Sequence, residues 1–187
     1  MVMTNVSGKI TMPFFAAYQR FDPQCGDSWA SYIEWSGLHH VREIISTDPM
    51  LCPSLIDTLI DDDWNFNIHA DNRCYFFSDA DYLKRRIKYD SSRHNILALS
   101  EQPTRNPVTI NGFEFCGYEI LDSYDSISVL LNCGGFPTIF TTDDHNEFGL
   151  VEDLDHATKI AKTIRETNSE EPHCKDCRVW GIARLEQ

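Results

Sequence analysis

The stretch FEFCGYEILDSYDSISVLLN, residues Phe113 to Asn132, decides the fold class of this chain. Its two ends, Phe113–Leu121 and Ile127–Asn132, carry the aromatic and β-branched residues that suit a pleated, half-buried strand. Between them, Asp122-Ser123-Tyr124-Asp125-Ser126 supplies side chains that bond their own backbone in turns. Two apolar runs around such a turn predict an antiparallel hairpin.

Working outward, Asn95–Ser100 reads as a strand before the hairpin and Cys177–Leu185 as a closing strand after it. The clearest helix spans Asp153–Thr167. Leu154, Ala157, Ile160, Ala161 and Ile164 line one side, with acids at its start and Lys162 and Arg165 near its end, as the helix dipole favours.

The first half is less regular. Gly8–Gln24, with Phe14, Phe15, Tyr18 and Phe21 among prolines, predicts a strand or an arm lying on the core. Asp27 or Ser28 can cap a short helix carrying Trp29, Tyr32 and Ile33, ended by Gly37. Val41–Ile45 follows as a candidate strand, and Pro53 as the first turn of a helix carrying Leu55, Ile56, Leu59 and Ile60. That helix runs into Asp61-Asp62-Asp63, where negative charge opposes its continuation. Cys74–Phe77 reads as a short strand. Ser78 and Asp81 have capping-box spacing ahead of a helix with Ala80, Leu83 and Ile87 on one face and Lys84, Arg85, Arg86 and Lys88 on the other. Strands joined by hairpins, with helices interspersed, predict the α+β class: a mainly antiparallel sheet with about four helices packed on it. The absence of repeats and long linkers from the 187 residues predicts one domain over 1–187.

Charge restricts the partners. Asp and Glu outnumber Lys and Arg by 29 to 16, giving a formal net charge of -13 that repels phosphate backbones and favours cationic partners. Direct nucleic-acid binding is not expected. Met1–Met12 contains Lys9 but no long apolar run with a small-residue cleavage site. Apolar stretches such as Val129-Leu130-Leu131 fall far short of the roughly 20 residues that cross a bilayer. The expectation is a cytoplasmic protein with no membrane span. Seven scattered cysteines read as reduced thiols rather than as a disulfide framework.

The most specific local motif is His173-Cys174-Lys175-Asp176-Cys177. Two cysteines separated by two residues can turn both sulfurs toward one zinc ion or form a thiol pair. Zinc requires further ligands, and Cys133, His145 and His173 are the candidates to complete a set with Cys174 and Cys177. A reactive thiol gains from a helix N-terminus, whereas this pair precedes a strand. Packing without chemistry is the competing reading. His69, Asp71, Asn72 and Arg73 mix types suited to acid-base work, but Asp61-Asp62-Asp63 lacks the alternating oxygen ligands of a calcium loop. The chain has no nucleophile elbow, zinc-protease helix, phosphate loop or dinucleotide loop.

Asp143, Asp144, Glu147, Glu152, Asp153 and Asp155 place six acids within thirteen residues, interrupted by Phe148, Leu150 and Val151. Exposed together, they form an acidic surface with apolar anchors for a basic protein. The alternative is a capped helix start with Phe148 and Leu150 in the core. The sequence therefore favours a non-catalytic acidic binding or regulatory protein, similar only in charge and size to small acidic inhibitors such as bacterial immunity proteins. The second reading is a zinc-stabilised or thiol-redox protein using Cys174 and Cys177; no other cofactor is expected.

Overall fold

A computed structural model of the chain describes residues 13–56, 76–104, 108–132, 138–168 and 170–186. The strands are β1 (Phe14–Gln19), β2 (His94–Glu101), β3 (Phe113–Leu121) and β4 (Arg178–Leu185), paired antiparallel in the order β1-β2-β4-β3. Among the described residues there are three α-helices: α1 (Asp27–Ser36), α2 (Ala80–Ile87) and α3 (Leu154–Thr167). The α+β class with an antiparallel sheet is therefore present, with three helices among the described residues where the sequence suggests about four in the chain.

The strand alternation feeds two cores. Ala16, Tyr18, Leu97, Leu99, Tyr118, Trp180 and Ile182 join Ala157, Ile160, Ala161 and Ile164 of α3 in the larger cluster. Ala17, Phe77 and Ile96 join Leu83 of α2 in the smaller one. Helices thus cover both faces, which is why the strands read as nearly continuous apolar runs rather than strict alternation.

Several boundaries differ from expectation for reasons visible in the polar contacts. The run Ile127–Asn132 is not a strand. Only Ser128 bridges β3, through Leu121, and the chain then turns because Ser128 N and Asn132 Nδ2 both donate to Asp48 Oδ2, at 3.0 and 2.9 Å. The partner of β3 in the sheet is β4 instead. Val41–Ile45 likewise contributes one bridge, Phe21 to Ile44, rather than a ladder. Pro53 does not open a helix: its carbonyl accepts from Gln19 N, and Ser54 bridges Tyr18, so the chain here is extended along β1. The remainder of that predicted helix, the Asp61–Asp63 run, the His69–Arg73 group and Cys74 lie outside the described residues.

Helix starts shift by a residue. Asp79, not Ser78, caps α2 by accepting from Asp81 N and Tyr82 N, and α1 begins after Gly26 rather than after Asp27 or Ser28. The ends match: Gly37 closes α1 in the left-handed conformation, and Asp153 caps α3 by accepting from His156 N at 2.9 Å.

Both outer strands are covered. Phe77 and Ser54 bridge β1, while Val151 and Ser128 bridge β3. The approach at β3 depends on Gly117, where the register shifts: its φ is +144°, and a Cβ there would lie 2.7 Å from Leu150 Cβ.

The irregular segments are held by buried carboxylates. Glu43 accepts from Arg20 (2.5 Å), Arg184 (3.0 Å) and Asn95 Nδ2 (2.7 Å), tying the 40s segment to β2 and β4. Asp122 accepts from Ser126 N and Ile127 N, and Asp125 from Arg178 (2.6 Å) and Trp180 Nε1 (3.2 Å). Glu119, on β3 and fully buried, accepts from Ser46 Oγ and from Thr47 N.

Burial pushes the Glu119 carboxyl up to about 7, against the pull of the Ser46 and Thr47 hydrogen bonds and with the nearby Asp48 charge adding to the rise. A folded value above the unfolded one means that the native state holds the proton more tightly. The associated stability is fully present below about pH 4.5 and is lost as pH rises through about 7. The shift corresponds to roughly 3 kcal/mol between those limits. Urea denaturation of Glu119→Gln from pH 5 to 8 is expected to show a markedly flatter pH dependence than the parent; an unchanged slope contradicts the assignment.

Candidate functional site

The acidic segment is built around a 3-10 turn, Thr142–Asp144, and the first turn of α3. Asp144 is half-buried. Its Oδ2 accepts from Thr141 N (2.6 Å) and Thr141 Oγ1 (3.2 Å), and its Oδ1 meets His156 Nε2 at 2.7 Å, joining the turn to α3. Asp153 is exposed and serves as the α3 cap. Glu147 pairs with Arg42 at 2.9 Å. Asp143, Glu152 and Asp155 are exposed and pair with no cation among the described residues.

Of the sequence-based anchors, Leu150 is interior and Phe148 half-buried. Leu150 is fully buried, and Phe148 packs half-buried against the larger core with the Arg184 guanidinium 5.2 Å from its ring centroid. The acids therefore form a surface strip; of their apolar neighbours Leu150 belongs to the core, while Phe148 packs against it and lines an adjoining cleft.

The strip continues onto α1. A Cβ on Gly37 would lie 3.6 Å from Thr142 Cγ2, so the end of α1 abuts the turn. Just beyond it, His40 Nε2 contacts His145 O at 2.8 Å. Exposed Glu34 and Trp35 sit on this last turn of α1. Sequence reading missed them because α1 presented only its Trp29, Tyr32 and Ile33 face.

The proposed metal ligands have separate partners. His173 Nδ1 meets Asp122 Oδ2 at 3.2 Å. His145 is buried, its Nδ1 donating to Thr141 O at 3.1 Å, while its Nε2 has no hydrogen-bond partner. Burial holds the His145 imidazole below its ordinary pKa, outweighing the Thr141 bond and the Asp144 charge that favour protonation. Cys133 lies outside the described residues. Among the described residues no three His, Cys, Asp or Glu side chains are grouped to hold a metal ion.

Cys174 and Cys177 are both buried, with Cys177 Sγ directed to Ala161 O of α3 at 3.7 Å. Burial pushes the Cys177 thiol up to about 11 and also raises Cys174. Thiols held in the protonated form are poor nucleophiles. Cys52 and Cys116 are buried and raised in the same way, whereas Cys25 is exposed.

A shallow cleft of about 520 Å³ lies beside the acidic strip, lined by Arg20, Arg42, Glu43, Glu114, Phe148 and Arg184 among others. Its charges are mutually engaged: Arg20 and Arg184 share Glu43, and Arg184 also reaches Glu114 at 3.3 Å. These pairs fasten β4 to the 40s segment.

Comparison of the chain with family models, curated proteins and solved structures found no match. No helix among the described residues is long and apolar enough to cross a membrane.

Of the five described cysteines, Cys25 alone is expected to react with iodoacetamide in the native protein near pH 8, with the other four labelled only after denaturant is added. Peptide mass spectrometry reads the sites. Rapid native labelling of Cys177 contradicts the buried, protonated state.

Proposed function

We propose that this chain is a non-catalytic binding or regulatory protein whose acidic face recognises a basic protein partner. The observation that supports this reading is the strip of exposed carboxylates at Asp143, Glu152 and Asp155, which lack cationic partners among the described residues. Asp144, Glu147 and Asp153 stand beside them, fixed by the 3-10 turn, by Arg42 and by the helix cap.

Unpaired surface carboxylates contribute little to stability but raise the rate at which a cationic surface arrives, because the field acts over about 8 Å at physiological salt. A formal net charge of -13 extends the same bias to the whole molecule. This field opposes phosphate backbones, so the partner is a protein rather than a nucleic acid. With all five described cysteines free, the chain fits the reducing cytoplasm.

The test is capture of partners by the immobilised chain from extracts of its native host over a range of salt concentrations. A stoichiometric basic partner is expected, released as salt rises. A variant combining Asp143→Asn, Glu152→Gln and Asp155→Asn should bind it about tenfold more weakly. Absent binding, or binding indifferent to salt and to these substitutions, contradicts the reading.

A further inference from the structure

Four arginines are half-buried among the described residues: Arg20, Arg165, Arg178 and Arg184. Three of them are neutralised by carboxylates. Arg20 pairs with Asp22 and Glu43, Arg178 with Glu101 and Asp125, and Arg184 with Glu43 and Glu114. Arg165 differs. Its Nη1 donates to a neutral group, the Cys177 carbonyl, at 2.7 Å, and no carboxylate among the described residues pairs with it.

Arg165 lines a cleft of about 500 Å³ between α3 and the entry to β4. Leu154, Thr158 and Arg165 form the α3 side; they stand about one and two turns apart, so they share one face of the helix. Residues 176–179 form the facing side. Gln102 and Pro103, just past β2, complete it, and the Gln102 amide donates to Val179 O at 2.9 Å. Arg178 also reaches the cleft, but its charge is taken up by Glu101 and Asp125. Asp176 is exposed and pairs with no cation among the described residues. The cleft therefore holds one positive and one negative side chain that do not pair with each other, beside apolar surface from Leu154, Pro103 and Val179.

We propose that this cleft binds a free α-amino acid with an apolar side chain. The carboxylate of the ligand meets the Arg165 guanidinium, its ammonium meets Asp176, and its side chain lies on Leu154, Pro103 and Val179. Thr158, on the same helix face as Arg165, offers a hydroxyl to the carboxylate.

The chemistry of the two charges selects this class. A guanidinium presents paired N–H donors in a fork that matches a carboxylate. The Cys177 carbonyl holds Arg165 in place before a ligand arrives, so less ordering is required on binding. Phosphates and dicarboxylates bring further negative charge, which Asp176 and the field of a chain with a formal net charge of -13 oppose. A single carboxylate balanced by an ammonium meets no such opposition. The cleft also falls within the range of about 300–1,000 Å³ usual for small-ligand sites, with an apolar lining and few polar groups. Nothing in this inference depends on the acidic strip, so either can fail alone.

The experiment titrates the full chain with leucine and with phenylalanine, and with two leucine analogues that each lack one charge, leucinamide and 4-methylpentanoate. Backbone amide NMR signals report the site. At least one of the two amino acids is expected to bind and to shift the amides of Thr158, Arg165 and Asp176, with the matching analogues at least about tenfold weaker. Arg165→Gln and Asp176→Asn should each weaken amino-acid binding about tenfold, with circular dichroism confirming the fold. Asp176 is exposed, so its substitution keeps the test decisive if Arg165→Gln disturbs the fold. No binding of either amino acid at millimolar concentration overturns the proposal. An analogue that binds as tightly as leucine, or binding indifferent to Asp176→Asn, overturns it as well.

Discussion

Carboxylates inside the protein hold its irregular half to its regular half. Glu43, Asp48, Glu119, Asp122 and Asp125 are all buried, and each accepts hydrogen bonds from at least two donors. The four-stranded sheet needs only its own ladders, but residues 38–52 and 122–132 form no ladder. Many of their amides pair with backbone carbonyls, but those of Thr47, Ser126, Ile127 and Ser128 donate to these side chains, and a buried amide left unpaired costs about 1–3 kcal/mol. Ionised or hydrogen-bonded carboxyl oxygens accept from several donors at once, which suits them to irregular backbone.

This constraint also positions the surface. Asp48 holds the turn at Ser128–Asn132 and the Met50 amide together, and that turn carries the Leu131 carbonyl on which Tyr32 rests. The end of α1 is thereby set against Thr142, and Asp144 carries the connection on to His156 of α3. Interior acids fix the geometry; exposed acids supply the field.

The regular elements were legible because their information is local. The α3 helix follows from a five-residue apolar stripe with an acid at its start, and β2 and β4 from apolar runs of strand length. The second limb of the supposed hairpin misled because Val129-Leu130-Leu131 is apolar enough for a strand, while the cause of its turning is Asp48, eighty residues earlier. Pro53 misled similarly, since a proline carbonyl that accepts from β1 looks in sequence like a helix start. At the acidic strip, sequence located the carboxylates and offered two readings of their apolar neighbours, of which the structure has Leu150 in the core and Phe148 half-buried against it. The cysteine pair was conspicuous in sequence only because spacing is visible there and burial is not. His173, read as a candidate ligand, places its Nδ1 3.2 Å from Asp122 Oδ2, a contact across fifty-one residues that spacing cannot show.

Native-state hydrogen exchange tests the role of the buried carboxylates most directly. The amides of Thr47, Ser126, Ile127 and Ser128 donate to carboxylate oxygens rather than to a ladder. If those bonds are as integral to the fold as the sheet, these amides exchange with protection comparable to the central strands β2 and β4. Exchange at rates typical of exposed loops, with the strands still protected, would contradict the account.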